Sequence, residues 1–344
     1  MRIIDSHMHL EYGRPDRLIA LADLFGYEKI CILAIPCYER DVLNTLESML
    51  AKRLAPDRVY VYGGMTYIPG REPTAADHEK QLELMMDAGC DGWKILESKP
   101  SVYRDLQLPL DSDVFSRAFA MAERESIPVK WHAGDPATFW DIKKAPPFAA
   151  ERGWLCIGEG FPTLQKIYTE VENVLARYPR LKASMAHLYF TSDDRAHGER
   201  LLDTYENFSL DITPGTEMYG EFLHDREGWS AFFNRWQDKI VFGTDGDDRR
   251  DAKEVDPSEA LFTLIRNTLV GSADFCVRGF SGTGLNLDQP ILDKIFADNF
   301  ERYTGASPRP LSKSGLNAYV EWLMPKLANE NRLRAEKMLA EYGV

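Results

Sequence analysis

The chain has 344 residues, of which 44% are hydrophobic and 28% charged, and its formal net charge is −13 at pH 7. This composition is typical of a globular protein with a large core, and its acidity argues against nucleic acid and anionic membranes as partners. The five cysteines are scattered, which favours a reducing compartment over a disulfide framework. No apolar run reaches about 18 residues, and the first strand begins at residue 2 or 3, so neither a transmembrane helix nor a signal peptide is expected. We therefore predict a cytoplasmic protein.

Eight short apolar segments alternate with helical patterns along the chain. Near-continuous hydrophobic runs of this kind are typical of parallel strands that are buried on both faces. Eight β-then-α units predict an α/β protein with a (β/α)8 TIM barrel. A doubly wound sheet is less favoured, because the first turn is not rich in glycine. The predicted strands are residues 3–10, 29–35, 59–67, 92–96, 128–133, 181–190, 208–213 and 239–244.

A helical extension is predicted after the barrel. We place the barrel in residues 1–305 and the extension in residues 306–344, with a charged helix over residues 316–342. One face of this helix is apolar, and we expect it to pack either on the barrel or on a second copy of the chain in a homodimer. The residues of this face are Tyr319, Trp322 and Leu323.

Polar residues that can bind a metal end several of the predicted strands. Strand one ends in His7-Met8-His9, strand five in His132, strand six in His187, and strand eight in Asp245. The first two histidines share a face because side chains alternate along a strand. Active sites of (β/α)8 barrels lie at the C-terminal ends of the strands, and three imidazoles with one carboxylate suit a divalent ion. A single buried histidine is more often a core residue, but four of the seven histidines lie at strand ends.

This ordered set of motifs resembles the metal-dependent amidohydrolase superfamily, and within it the amidohydrolase-2 family that includes the aminocarboxymuconate semialdehyde decarboxylase-like proteins. The resemblance covers residues 3–305, and residues 162–187 and 295–305 are also similar. It implies that Asp245 is the general base and that His187 is a polarising or acid–base residue. It also implies four metal ligands, which are His7, His9, His132 and Asp245.

The function implied is hydrolysis of an amide, a lactone or another C–N or C–O bond in a small molecule, through water activated by one divalent ion, zinc or manganese. Non-oxidative decarboxylation of a small carboxylic acid is an alternative, because it requires the same metal and His187. A barrel that has lost catalysis and only binds a ligand is a third alternative, against which the intact ligand residues argue. The fold does not identify the substrate.

Four further residues are candidate substrate contacts. Lys94 ends strand four, where it could be carboxylated and bridge two ions, bind an anionic substrate, or pair with Glu97. We favour one of the last two roles, and therefore one ion per chain. Trp140, Tyr189 and Arg249 lie in the long loop after strand five or just past strand ends, where substrate contacts are expected. Packing or surface roles fit these three residues equally well.

Overall fold

The predicted barrel is confirmed in the computed structural model, which describes residues 1–36, 42–215, 217–249 and 257–343, with residues 257 and 258 described in their backbone only. The parallel strands are β1 (Ile4–His9), β2 (Lys29–Leu33), β3 (Val59–Gly64), β4 (Gly92–Ile95), β5 (Val129–Trp131), β6 (Ala183–Met185), β7 (Phe208–Asp211), β8 (Ile240–Val241) and β9 (Gly246–Asp247). They form one sheet in the order β8-β7-β6-β5-β4-β3-β2-β1-β9. A separate antiparallel hairpin consists of β10 (Asp274–Val277) and β11 (Phe280–Thr283).

Helices follow most of the strands, and the longer ones cover the outside of the barrel with an apolar stripe that faces the core. In the part of the chain that the structure describes, no helix is both long and apolar enough to cross a membrane. The helices are α1 (Pro15–Phe25), α2 (Asn44–Ala51), α3 (Ala75–Ala88), α4 (Pro100–Leu106), α5 (Asp113–Arg124), α6 (Pro147–Glu151), α7 (Leu164–Arg177), α8 (Arg195–Thr204), α9 (Met218–His224), α10 (Arg226–Arg235), α11 (Pro257–Leu269), α12 (Gln289–Asp293), α13 (Asn299–Thr304), α14 (Lys313–Leu323) and α15 (Asn329–Glu341).

The sheet closes into a ring through the last strand segment. β8 pairs with β7, while β9, a few residues later, pairs with β1. Between these two pairings, Ser6 N donates to Phe242 O at 3.2 Å and Asp245 N donates to His7 O at 2.9 Å. Closure therefore places residues from the beginning of the chain beside residues about two-thirds of the way along it.

Gly243 permits the close approach of these two segments. A Cβ atom at this position would lie 2.7 Å from His7 Cβ and 2.5 Å from Thr213 Oγ1. Contacts this short require the neighbouring side chains to move, so only a residue without a side chain fits here. The absence of a side chain at Gly243 thus lets the end of the last strand lie directly against β1.

Strand six ends earlier than the sequence predicts. We expected it to continue to Phe190, but β6 ends at Met185, and the four residues from His187 to Phe190 have φ between +52° and +57°. This left-handed turn is stabilised by Tyr168, whose hydroxyl donates to the carbonyls of Tyr189 and Phe190 at 3.3 Å each. Because the turn is as buried and apolar as a strand, its hydrophobic pattern alone does not reveal it.

The C-terminal extension is helical, as predicted, but it consists of two helices instead of one. α14 and α15 are separated by a short 3-10 turn, Met324–Lys326, that contains Pro325. Proline lacks the backbone N–H of a helix interior, which explains the break. α14 packs on α3 of the same chain and buries Tyr319 and Leu323, so its apolar face is covered by the barrel. The domain boundary at residue 305 stays a prediction.

A buried ion pair joins the extension to the barrel. Lys52 Nζ lies 2.6 Å from Asp91 Oδ2, and both side chains are 1% exposed. The lysine also donates to the carbonyls of Gly89 and Arg309, and the aspartate accepts the backbone N–H groups of Val61 and Arg309. Both charges are therefore fully hydrogen bonded.

We expect Lys52→Met to lower the free energy of unfolding by about 3–5 kcal/mol, because it leaves the buried Asp91 carboxylate without its cation. Urea denaturation measures the change. Lys80→Met is the matched control, since Lys80 is half exposed and pairs with Glu83 on the surface; we expect a change of about 0.5 kcal/mol or less. Equal losses in the two variants would contradict this account.

Candidate metal centre and active site

Three side-chain atoms converge at the C-terminal end of the barrel. His7 and His9 extend from β1, and Asp245 lies between β8 and β9. The Nε2 atoms of the two histidines are 3.2 Å apart, and Asp245 Oδ1 lies 3.4 Å from the first and 3.2 Å from the second. Within the described ranges, no other set of three histidine, cysteine or carboxylate ligand atoms is comparably close together.

Hydrogen bonds on the far side of each ring set the orientation of the two histidines. His7 Nδ1 donates to Asp211 Oδ2 at 2.9 Å, and His9 Nδ1 donates to Leu33 O at 2.8 Å. Each ring thereby keeps its proton on Nδ1 and turns the lone pair of Nε2 toward the cluster. Burial lowers the pKa of His7 to about 3, so this ring is neutral, as a metal ligand must be.

The three atoms have the spacing of ligands of one divalent ion. Bonds of about 2.0–2.2 Å place neighbouring ligand atoms about 3.0–3.5 Å apart in a tetrahedral or octahedral shell. All three observed separations lie in this range. The donor set of two imidazoles and one carboxylate suits zinc or manganese. The residues present therefore fit the metal expected from the sequence.

Asp245 lies on the open side of the cluster. Its side chain is 41% exposed, whereas His7 is fully buried. The backbone of Asp245 is left-handed, with φ +60°, and its N–H donates to His7 O. Below it, Asp5 accepts the backbone N–H groups of His7 and Thr244 at 3.0 and 3.2 Å. This second carboxyl group fixes the two segments that carry the cluster.

His187 lies beside the cluster, on the left-handed turn after β6. Its ring centroid is 5.3 Å from that of His7 and 4.8 Å from that of His132. His187 Nδ1 donates to Thr213 O at 3.3 Å, which leaves its Nε2 lone pair available. Burial lowers the pKa of His187, so the neutral ring is favoured. The structure thus brings His187 next to the predicted metal ligands.

His132 reaches the same end of the barrel but points elsewhere. Its Nε2 lies 3.3 Å from Asp135 Oδ1 and 3.5 Å from Lys99 Nζ, and the lysine itself pairs with the aspartate at 3.0 Å. The structure therefore does not include His132 in the compact three-atom group. Its assignment as a fourth ligand stays a prediction.

Lys94 lies deep inside the barrel, whereas Trp140 lies in a loop above it. Lys94 lies on β4 inside the barrel and is 1% exposed. Trp140 lies in the loop after β5, where its indole N–H donates to Pro162 O at 2.9 Å and its ring packs against a small cluster that contains Phe139 and Cys156. The tryptophan thus holds the loop together, and Lys94 is the more central of the two.

Tyr189 and Arg249 are not brought to the cluster. The ring of Tyr189 is fully buried in the barrel wall, with its centroid 4.8 Å from Tyr168 and 5.6 Å from His197. Arg249 is exposed just past β9 and forms an ion pair with Asp247. In this structure, Tyr189 packs inside the barrel wall and Arg249 lies on the surface. Their roles as substrate contacts stay predictions.

Asp211 is a residue of the site that the sequence indicates only as a possible pocket residue after strand seven and that is not among the predicted site residues. It ends β7, and its Oδ2 accepts hydrogen bonds from His7 Nδ1 at 2.9 Å and Lys130 Nζ at 3.0 Å. Its Oδ1 accepts the backbone N–H groups of His187 at 2.8 Å and Thr213 at 3.1 Å. One buried carboxylate therefore orients a metal-ligand candidate and also fixes the start of the turn that carries His187.

The sequence does contain a signal for Asp211 and Lys130. Asp211 is a polar residue at the end of an apolar strand, which is the rule that identified the other site residues. Lys130 precedes His132 by two residues and so lies on the same face of its strand. Neither signal identifies a partner, because the contacts join strands that are far apart in the sequence.

The chain belongs to the amidohydrolase family, described as Amidohydro_2, whose model matches residues 4–302. Together with the barrel and the strand-end cluster, this membership defines a metal-dependent enzyme of the hydrolase and lyase type. A comparison with proteins of curated function finds no match.

Solved structures share this fold at low sequence identity. An uncharacterised TIM-barrel protein from Bordetella bronchiseptica has a TM-score of 0.58 and 15% identity, over 89% of this chain and 99% of that chain. An amidohydrolase from Burkholderia multivorans with bound zinc has a TM-score of 0.54 and 12% identity, over 90% and 100% of the two chains. A 4-oxalomesaconate hydratase from Rhodopseudomonas palustris has a TM-score of 0.51 and 12% identity, over 93% and 98%.

We expect Asp211→Asn to weaken metal binding about 10- to 100-fold, because an amide has one acceptor oxygen and cannot serve all four donors. Competition with a chelating dye measures the affinity. Asp203→Asn is the matched control, since Asp203 is an exposed aspartate that pairs with Arg235 on the surface. Unchanged metal affinity in Asp211→Asn would show that its bond to His7 does not orient the ligand.

Proposed function

We propose that this chain is a metal-dependent hydrolase that cleaves an amide, a lactone or another C–N or C–O bond in a small molecule. The observation that supports this proposal most directly is the convergence of His7 Nε2, His9 Nε2 and Asp245 Oδ1 within 3.4 Å of one another. Family membership over residues 4–302 supports the reaction class. The four cysteines in the described ranges are free, in agreement with a proposed cytoplasmic location.

In this proposal, one ion is bound by His7, His9, His132 and Asp245. Zinc is the first candidate and manganese the second, because the donors are imidazole nitrogens and a carboxylate oxygen. His132 ends β5 at the same end of the barrel, with its ring 4.8 Å from His187. A change in its ring orientation is required for it to join the other three ligands.

The chemistry divides between the bound ion and the side chains. When bound, a divalent metal lowers the pKa of water toward 7 and polarises a substrate oxygen. Asp245 accepts the proton of the attacking water and passes it to the leaving group, since a carboxylate on the open side of the cluster reaches both. The Nε2 lone pair of His187 can accept a proton from the water or the substrate, which is the acid–base role that the family resemblance implies. Asp211 keeps His7 and His187 in place during these steps.

We expect Asp245→Asn to lower kcat about 10²- to 10⁴-fold, because an amide cannot accept the proton. Assays on zinc-loaded protein, with metal content measured in parallel, separate lost chemistry from lost metal. The matched control is Asp247→Asn, two residues further on, where the carboxylate pairs with Arg249. Full activity of Asp245→Asn with metal bound would contradict the proposed mechanism.

A substrate panel distinguishes hydrolysis from the other functions of this fold. Lactones, amides and small carboxylic acids are incubated with zinc-loaded protein, and acid release and carbon dioxide release are both recorded. We expect acid release from a lactone or an amide. Carbon dioxide release from an acid, without hydrolysis, would instead support the decarboxylase alternative.

We expect removal of the metal by a chelator to lower the melting temperature and abolish turnover, and added zinc to restore both. A ligand present at about 100 times its Kd stabilises the folded state by about 2.7 kcal/mol, because it binds only that state. Thermal denaturation with and without chelator measures the effect. If neither the melting temperature nor any activity responds, the barrel is not a metal enzyme.

A further inference from the structure

The hairpin of β10 and β11 is an insertion that follows α11. It lies between Gly271 and Gly284, which approach so closely that a Cβ atom on Gly284 would be 2.2 Å from the carbonyl oxygen of Gly271. Directly after the hairpin, Leu285 N donates to Thr268 O at 2.6 Å, so the chain resumes its packing on the end of α11. The chain therefore leaves the barrel and returns to it at one point, and the hairpin is an excursion from the barrel.

One face of the hairpin packs on the chain and the other face is exposed. Phe275 and Val277 are partly buried and pack against the core, whereas Asp274 and Cys276, which alternate with them, are exposed. The second strand, β11, packs on α9. A two-stranded ribbon has little stability of its own, so these contacts anchor it and leave its polar face in solvent.

The outer edge of β10 presents backbone groups that can pair with another strand. Among the residues that the structure describes, β11 is the only strand that pairs with β10. Arg278 and Gly279 form a two-residue turn with φ +52° and +83°. In such a hairpin the flanking residues, Val277 and Phe280, bond to each other, so the N–H and C=O groups of Cys276 point away from β11. An edge of this kind is a template for a further strand.

The sequence of this edge is complementary to itself. Two antiparallel copies of β10 can pair with Cys276 opposite Cys276. Asp274 of each copy then lies opposite Arg278 of the other, and the aromatic ring of Phe275 lies opposite Val277. Opposite charges and aromatic–β-branched pairs both stabilise antiparallel strands. A guanidinium group has five N–H donors, so Arg278 can bind this carboxylate in addition to contacts within its own chain.

We propose that β10 is a self-association edge, through which two copies of the chain pair about a two-fold axis at Cys276 and form a continuous four-stranded antiparallel sheet. The alternative face, with Tyr319 and Leu323 on α14, is covered by the barrel of its own chain. The contact is one strand edge wide, which is small for an interface, so the dimer is reversible with a Kd in the micromolar range. This pairing does not depend on the metal or on the proposed reaction.

Sedimentation velocity of the full chain over a concentration series, with thiols kept reduced, tests the pairing. We expect the mass to rise from 39.2 kDa toward twice that value. Asp274→Arg weakens the dimer about tenfold or more, because arginines then meet at both ends of the paired edge. The double variant Asp274→Arg/Arg278→Asp restores the affinity, since the two charges are exchanged and aspartate tolerates positive φ. The matched control is Asp203→Arg, at an exposed aspartate on α8, which keeps the wild-type affinity.

A thiol cross-link tests the register of the two copies. Residues in a hydrogen-bonded antiparallel pair have Cα atoms about 5.5 Å apart, which is within the range of a disulfide. We expect oxidation by copper phenanthroline, which takes two electrons from the two thiols as they lose their protons, to join the copies through Cys276. The matched control, Cys276→Ser/Ser281→Cys, moves the thiol to the neighbouring strand, where Ser281 is also exposed. Its two thiols would be about 14 Å apart, because adjacent strands are about 4.8 Å apart, and no cross-link forms.

Several outcomes would overturn the assignment. A chain that stays monomeric throughout the series contradicts it. Dimers that Asp274→Arg does not weaken, that the double variant does not restore, or that cross-link equally at both thiol positions would use another surface. Asp274 also accepts a hydrogen bond from Thr283 within the hairpin, so the melting temperature of each variant is recorded. If Asp274→Arg does not fold, the wild-type mass and the cross-link still decide. Failure to bind zinc would refute the proposed function and leave this pairing intact.

Discussion

Closure of the barrel between β1 and residues 240–247 is the constraint on which the site depends. β9 pairs with β1, and Asp245 N donates to His7 O, so the first and the last strand segments meet at the same end of the ring. The absence of a side chain at Gly243 permits this approach. The two histidines precede the aspartate by more than two hundred residues in the chain. Without closure of the barrel, the three side chains would be too far apart to bind one ion.

A buried polar network below the cluster fixes the positions of these strands relative to one another. Asp211 accepts four hydrogen bonds, from His7, Lys130, His187 and Thr213, and thereby ties β1, β5 and the turn after β6 to β7. Such a network is costly when one member is missing, because the remaining groups stay buried without partners. The site is therefore held by side chains that need not touch the substrate.

Two residues of the site have a strained backbone. His187 and Asp245 both have positive φ, which for residues with a Cβ atom costs about 1–2 kcal/mol each. The hydrogen bonds of Asp211 and Tyr168 offset this cost in the turn that carries His187. The turn lets one buried, apolar segment place an imidazole beside the cluster instead of continuing as a strand.

The sequence by itself determined the barrel and most of the polar residues at the ends of its strands, because strand burial and side-chain alternation are local properties of the chain. It also determined that His7 and His9 share a face. Only the tertiary structure decided that Asp245 Oδ1 lies within 3.4 Å of both imidazoles, that His132 turns toward Asp135 and that β6 ends at Met185. These facts depend on contacts between distant segments, and a hydrophobic pattern carries no information about which distant side chains meet.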